Sequence, residues 1–313
     1  MSLPKVVADG PLAPIVEQLL AGQVEWLPWS VAESGTAERI DGVYTYGHPQ
    51  VDGAMLDRLP GVRVISNYGV GVDHIRLADA AARGIPVGNT PGILDGATAD
   101  MAFTLLLAAA RRLIVGDRYA RSPEFTRYDP GYMLGVEAHS QSIGIVGMGR
   151  IGRQIAQRAR GFDMRVAYHN RRRDEAAEQR FEARYLPLDA LLAESDFVVL
   201  SVPLTDETRG LIGAKQLRRM KPTAILVNIA RGPVVDTAAL TVALQERWIY
   251  AAALDVTDPE PLPRGHALLA CDNLTIAPHL GSATEQTRRK MAEMSVANLL
   301  AGLANEPLPF RVG

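Results

Sequence analysis

Short apolar runs rich in Val and Ile alternate with amphipathic stretches along most of the chain, and that alternation leaves few folds open. Strands covered by helices on both faces read as continuous hydrophobic runs, and parallel neighbours need helix-length crossovers. In the first third the strand positions are Lys5–Ala8, Gly42–Thr45, Val62–Ser66 and Ile85–Val87, with helical stretches such as Leu12–Ala21 and Ile75–Arg83 between them. Asn89–Gly96 carries Pro91, Gly92 and Gly96 and reads as a connector. An Ala- and Leu-dominated run then predicts a long helix over Thr98–Leu113. A second strand series follows at Ser142–Val146, Arg165–Tyr168, Phe197–Val202, Ala224–Asn228, Ala251–Val256 and Leu274–Ala277, and a helix over about Thr284–Leu303 comes last. The pattern predicts an α/β protein of two doubly wound parallel-sheet (Rossmann-like) domains. The first is discontinuous in sequence, interrupted by the second and completed by the final helix.

Composition removes several function classes. A formal net charge of -2 argues against a general polyanion binder, because nucleic-acid affinity rests on phosphate neutralisation. No apolar run reaches the roughly 18 residues that span a bilayer. The best stretch, Met101–Ala110, runs into Arg111 and Arg112. The opening MSLPKVVADG lacks the charged and apolar blocks of a signal peptide. Cys271 stands alone, cannot form an internal disulfide, and reads as a packed small residue. A cytoplasmic protein acting on small molecules, with neither nucleic acid nor membrane as partner, is expected. His48, His74, His139, His169 and His266 lack metal-ligand spacing, so no metal site is expected. Ser201 and Ser282 lack the G-x-S-x-G setting of a serine hydrolase.

Gly147-Met148-Gly149-Arg150-Ile151-Gly152 follows a predicted strand and opens a predicted helix over Ile151–Arg160. A G-x-G-x-x-G is informative only in that setting. Gly147 permits the tight turn, Gly149 lets a pyrophosphate approach the backbone, and Gly152 allows close helix–strand packing. An NAD-binding unit places a carboxylate at the end of the second strand, against the ribose 2′-OH. Here that position reads Asn170-Arg171-Arg172-Arg173. Guanidinium groups bind a 2′-phosphate that a carboxylate would repel. NADP(H) is therefore the expected cofactor, with NAD(H) as the alternative; Arg173 lies too far along the loop to contribute.

Three polar residues stand just beyond the C-terminal ends of later strands, where open α/β sheets place ligands: Arg231, Glu260 and His279. Reduction of a carbonyl by hydride needs a proton donor for the forming alkoxide, and a histidine serves near neutral pH. A carboxylate beside it would orient the ring and favour the imidazolium. A fixed cation would hold a substrate carboxylate and polarise the keto oxygen.

These segments resemble the D-isomer-specific 2-hydroxyacid dehydrogenase family, most closely its glyoxylate/hydroxypyruvate reductase branch. The resemblance runs from about Gly42 to Leu303 and rests on residues 67–73 (NYGVGVD), 144–152 (GIVGMGRIG), 228–236 (NIARGPVVD), 258–261 (DPEP) and 278–284 (PHLGSAT). It implies that His279 is the acid/base, Glu260 its partner and Arg231 the substrate anchor. Val70 and Gly71 would bind the substrate carboxylate through backbone N–H groups. Arg150 and Ile151 would lie at the pyrophosphate and Asp255 at the nicotinamide carboxamide. Thr98, Val202, Pro203, Thr208, Ile229, Ala230 and Gly281 would line the rest of the cofactor groove.

The resemblance also implies a substrate domain of residues 1–96 plus 281–313 and a dinucleotide domain of residues 97–280. A homodimer built around the second domain, with the helix over Thr98–Leu113 at the two-fold interface, is expected as well. The chain departs from the family pattern at Ser140-Gln141-Ser142, read as an inconsequential surface change, and at Asn170, where NAD enzymes carry Asp. Residues 116–133, near the substrate mouth in the family, offer Phe125, Tyr128 and Tyr132 but no tryptophan. Bulkier keto acids of the phenylpyruvate or 2-ketogluconate type therefore stay open as substrates. A non-catalytic dinucleotide-sensing regulator of the same fold is the rival from another class.

Overall fold

The computed structural model describes residues 2–312. The chain separates into two compact units, one running to Leu94 and resuming at Thr284, the other spanning Asp95–Ala283. Asp95, Gly96 and residues 281–283, assigned to the first domain in the sequence reading, pack with the second unit.

The first unit contains five parallel strands: β1 (Lys5–Ala8), β2 (Glu25–Pro28), β3 (Gly42–Thr45), β4 (Val64–Asn67) and β5 (Val87–Gly88). Their order is β2-β1-β3-β4-β5, so the winding reverses between β1 and β3. Val6, Val7, Val43, Val64 and Ile65 are fully buried in the centre of the sheet. β2 escapes the sequence reading because it is an edge strand of Glu, Trp, Leu and Pro. An edge tolerates proline, and only partial burial removes the apolar signature.

The C-terminal helix, Glu285–Leu303, starts at Thr284, whose side chain accepts from the Thr287 N–H. It buries Met291, Ala292, Ser295, Val296, Leu299, Gly302 and Leu303, the spacing of one helical face. Ser66 Oγ donates to the Ser295 carbonyl at 2.7 Å, and Asn298 Nδ2 to the Asn89 carbonyl at 3.0 Å. Gly302 sits against Val64 so closely that an added Cβ would overlap it. The last helix therefore supplies part of the core of the unit that the first 94 residues begin.

The second unit holds β6 (Ser142–Val146), β7 (Arg165–His169), β8 (Arg184–Tyr185), β9 (Phe197–Leu200), β10 (Ile225–Asn228), β11 (Ala251–Leu254) and β12 (Leu274–Ile276). All pair in parallel in the order β12-β11-β10-β9-β6-β7-β8. The winding reverses between β6 and β9, and such a switch point opens a crevice beyond the carboxyl ends of the strands. Several strands stop one or two residues short of their expected ends, and the two-residue edge strand β8 carries too short a signal to read.

The long helix departs from expectation: it begins at Asp95 and ends at Ala110. The Ala110 carbonyl accepts from the Val136 N–H at 2.9 Å, and Gly135 packs directly onto it. Arg112 then takes φ +52°, and a separate helix follows over Leu113–Ala120. Ala99, Ala102, Leu106 and Ala110 are fully buried inside this unit, which makes Asp95–Ala110 a core helix. Ser142 is not a bystander either. Its hydroxyl donates to Asp196 Oδ2 at 2.6 Å and accepts from the Asp196 N–H at 3.0 Å, joining the start of β6 to that of β9. Among the described residues no helix is long and apolar enough to cross a membrane.

Candidate active site

The glycine turn sits at the switch point of the second sheet. Gly147 has φ +104°, and a Cβ there would lie 2.8 Å from the Ser201 carbonyl carbon at the end of β9. Ser201 Oγ also donates to the Gly147 carbonyl at 2.6 Å, a contact the sequence reading did not assign. A Cβ on Gly152 would overlap the Gly147 carbonyl, so the helix Arg150–Gly161 lies hard against the turn. Gly149 differs: nothing stands within 4 Å of the place its Cβ would take. A tight turn, a tight helix contact and one open glycine at a helix N-terminus form a cradle that fits a dinucleotide pyrophosphate.

Asn170 follows β7, and its Oδ1 accepts from the Met148 N–H at 2.7 Å. It therefore latches the glycine turn from the end of β7. Arg171 and Arg172 are exposed, whereas Arg173 is committed to Glu178 through Nε and Nη2, each at 2.7 Å. The Glu207 carboxyl is held below its usual range by the Thr205 hydroxyl and its own N–H, with the Arg171 charge adding to the effect. Thr208 Oγ1 donates to the Pro203 carbonyl at 2.7 Å and accepts from the Thr205 N–H at 2.8 Å, which shapes the loop after β9 that also carries Val202.

The loops after β10, β11 and β12 carry the polar constellation. Asn228, 1% exposed, donates to the Arg231 carbonyl at 2.9 Å and accepts from the Ala230 N–H at 3.0 Å. It thereby folds the Ile229–Arg231 turn, and an Asn closing a buried strand is the signal that could have identified it. Gly232 packs onto the backbone at Thr257, and Thr237 Oγ1 donates to the Asp258 carbonyl at 2.9 Å. The Arg231 turn is thus fixed against the loop leading to Glu260.

His279 Nδ1 donates to Glu260 Oε1 at 2.8 Å, and the two side chains are 30% and 39% exposed. His279 also holds a left-handed backbone, φ +56°, a conformation that non-glycine residues keep only where surroundings impose it. Those surroundings are visible. The His279 N–H donates to the Asp255 carbonyl at 2.9 Å, and the Asp255 carboxylate accepts from the Leu280 and Gly281 N–H groups at 2.7 Å each. Asp255 is 2% exposed, and burial pushes its carboxyl above the usual range against the pull of those two bonds. A Cβ on Gly281 would lie 3.0 Å from Asp255 Oδ2 and 3.4 Å from Thr98 Cγ2, so Thr98, Asp255 and Gly281 converge.

Val70 and Gly71 belong to the first unit, in the loop after β4. Neither N–H donates to an acceptor among the described residues.

Residues 103–281 match the family described as D-isomer specific 2-hydroxyacid dehydrogenase, NAD binding domain. The chain is 49% identical over 277 residues to the glyoxylate reductase of Thermococcus gammatolerans, covering 87% of this chain and 83% of that protein. A solved structure from Thermus thermophilus matches with a TM-score of 0.90 at 41% identity, covering 99% of this chain and 100% of that one. The NADPH-dependent glyoxylate/hydroxypyruvate reductase of Sinorhizobium meliloti, in complex with NADP and malonate, matches with a TM-score of 0.91 at 32% identity, covering 100% of this chain and 97% of that one. The protein is an NAD(P)-dependent oxidoreductase and belongs to the D-isomer specific 2-hydroxyacid dehydrogenase family.

Proposed function

We propose that the protein reduces a small 2-keto acid of the glyoxylate or hydroxypyruvate type to its D-2-hydroxy acid, with NADPH preferred over NADH and His279 as the proton donor. The 2.8 Å contact between His279 and Glu260, in a unit that also carries the dinucleotide turn, is the observation that carries this reading. The names of the relatives, glyoxylate reductase and NADPH-dependent glyoxylate/hydroxypyruvate reductase, support the substrate class.

Gly147, Gly149, Arg150, Ile151 and Gly152 would hold the dinucleotide, which would supply the hydride when bound. With Nδ1 given to Glu260, His279 uses Nε2 to deliver a proton to the forming alkoxide oxygen. Glu260 fixes the plane of the His279 ring through the Nδ1 contact. In the second unit Arg231 polarises the keto oxygen and anchors the substrate; in the first unit the N–H groups of Val70 and Gly71 are the proposed ligands of a substrate carboxylate. Asp255 takes the nicotinamide end, where Thr98, Ile229, Ala230 and Gly281 complete the wall. Val202, Pro203 and Thr208 would line the rest of the cofactor groove, and Asn170, Arg171 and Arg172 would select the 2′-phosphate.

In this reading the first unit is the substrate domain and the second the dinucleotide domain. A homodimer suits the exposed apolar surface of Leu113, Ile114, Phe125, Tyr128, Tyr132 and Leu134, all in one stretch of the second unit. Light scattering at the mass of one chain, 33.8 kDa, at micromolar concentration would contradict that assembly.

The function is tested by following reduced-cofactor absorbance with glyoxylate, hydroxypyruvate, 2-ketogluconate and phenylpyruvate, each with NADPH and with NADH. Highest kcat/KM for a small keto acid with NADPH, and a D-configured product from hydroxypyruvate, is the expected result. Cofactor binding with no turnover of any keto acid would overturn it in favour of a dinucleotide-binding regulator.

A further inference from the structure

We propose that Asn67 and Asn89 are positioning residues for the substrate carboxylate, holding the Val70–Gly71 backbone so that its N–H groups face the anion. The inference rests on the reading above that those N–H groups bind the carboxylate.

Three consecutive carbonyls in this loop each accept a hydrogen bond. The Gly69 carbonyl accepts from the Thr90 N–H at 3.0 Å and from Asn67 Nδ2 at 3.0 Å. The Val70 carbonyl accepts from Asn89 Nδ2 at 2.9 Å, and the Gly71 carbonyl from Asn67 Nδ2 at 2.9 Å. A trans peptide is planar and its C=O and N–H point in opposite directions. The Gly69 carbonyl and the Val70 N–H share one peptide plane, and the Val70 carbonyl and the Gly71 N–H share the next. Pinning those two oxygens therefore aims both N–H groups the opposite way, and neither has an acceptor among the described residues. Two adjacent amide dipoles presented without internal partners suit a small anion.

Both clamps are themselves anchored. Asn67, 2% exposed, accepts from Thr45 Oγ1 at 2.8 Å, which fixes its amide orientation and turns both Nδ2 hydrogens to the loop. The Asn89 backbone donates to the Phe310 carbonyl at 3.1 Å and accepts from Asn298 Nδ2 at 3.0 Å. Segments far apart in sequence thus set the direction of two N–H groups, and a loop held this way binds an anion without first being ordered.

The test compares the wild type with Asn89→Ala, which releases the Val70 carbonyl while leaving the backbone bonds of residue 89 in place. Glyoxylate and its neutral methyl ester serve as substrates with saturating NADPH, alongside NADPH binding by fluorescence and thermal melting. A misaimed bond to a charged acceptor should raise the glyoxylate KM by roughly tenfold or more. The ester KM and the NADPH affinity should hold within about twofold, a split that general loosening of the fold does not produce. Asn67→Asp keeps the Thr45 bond but withdraws donors from the Gly69 and Gly71 carbonyls, so its glyoxylate KM should rise further. It decides the matter by the same readouts if Asn89→Ala does not fold. An unchanged glyoxylate KM, or acid, ester and NADPH parameters worsening in parallel, would overturn the positioning role. A wild type that reduces the ester as efficiently as the acid would instead remove the carboxylate-binding reading beneath it.

Discussion

Replacing Arg171 and Arg172 together with alanine, and Asn170 separately with aspartate, tests the proposed determinant of cofactor choice. Both arginines are exposed, so neither substitution opens the core, and Arg173 remains tied to Glu178 in each variant. A hydrogen bond to a charged group contributes about 1.5–3 kcal/mol, roughly tenfold to a hundredfold in affinity. Exposure discounts each arginine toward the lower figure. The double variant should therefore bind NADPH weaker by about one to three orders of magnitude and NADH within about twofold.

Asn170→Asp is the sharper perturbation. The aspartate retains an acceptor for the Met148 N–H, now 2.7 Å from Asn170 Oδ1, so the glycine turn keeps its latch. Only the outward amide changes, from a donor to an anion facing a phosphate of nearly two negative charges. Preference should shift toward NADH by about tenfold or more, and less as ionic strength rises. Apparent KM and kcat/KM for both cofactors, with dissociation constants by fluorescence at low and high salt, measure each quantity. A wild type equally efficient with NADH would show that the arginines form only a solvated loop, and the NADPH assignment would fall.

Further outcomes follow from other parts of the structure. Glu260→Gln replaces the carboxylate 2.8 Å from His279 Nδ1 and weakens the hold on the ring, so kcat for keto-acid reduction should fall by roughly tenfold or more, towards the loss expected without general-acid catalysis; an unchanged kcat would sink the pairing. Gly302→Ala drives a methyl group into Val64 and should cost about 1–3 kcal/mol by denaturant titration; an unshifted midpoint would contradict the packing of the last helix on β4. The Arg173 guanidinium and the Tyr168 hydroxyl hold the Glu178 carboxyl down from 4.5 to about 2. Its contribution to stability is complete above the unfolded value and is lost as pH falls toward about 2, so the melting-temperature gap to Glu178→Gln should close across that window.

Most buried strands were legible because they are short Val- or Ile-rich runs between helices, as at Ile143–Val146 and Ile225–Val227, and β11 because its Ala-Ala-Ala-Leu continues into Val256. Edge strands β2 and β8 were not, since Glu25-Trp26-Leu27-Pro28 and Arg184-Tyr185 contain neither Val nor Ile. The break at Arg112 was hidden for a different reason. Its cause is the Val136 N–H, which takes the Ala110 carbonyl from beyond the helix, and no local propensity records that bond. The same distinction runs through the site. Gly147, Arg231, Glu260 and His279 announce themselves by following strands, but the Asn67 and Asn89 clamps depend on bonds between loops after different strands. Asn170 was readable as a missing carboxylate and unreadable as the latch on Met148.

The central claim is proton delivery by His279 to a 2-keto acid, and single-turnover reduction of glyoxylate by NADPH in wild type and His279→Gln tests it most directly. The rate constant should be lower by roughly 10² to 10⁴-fold in the variant, with NADPH affinity and melting temperature little changed. A folded, NADPH-binding His279→Gln that reduces glyoxylate within about threefold of the wild-type rate, far short of that general-acid loss, would contradict it.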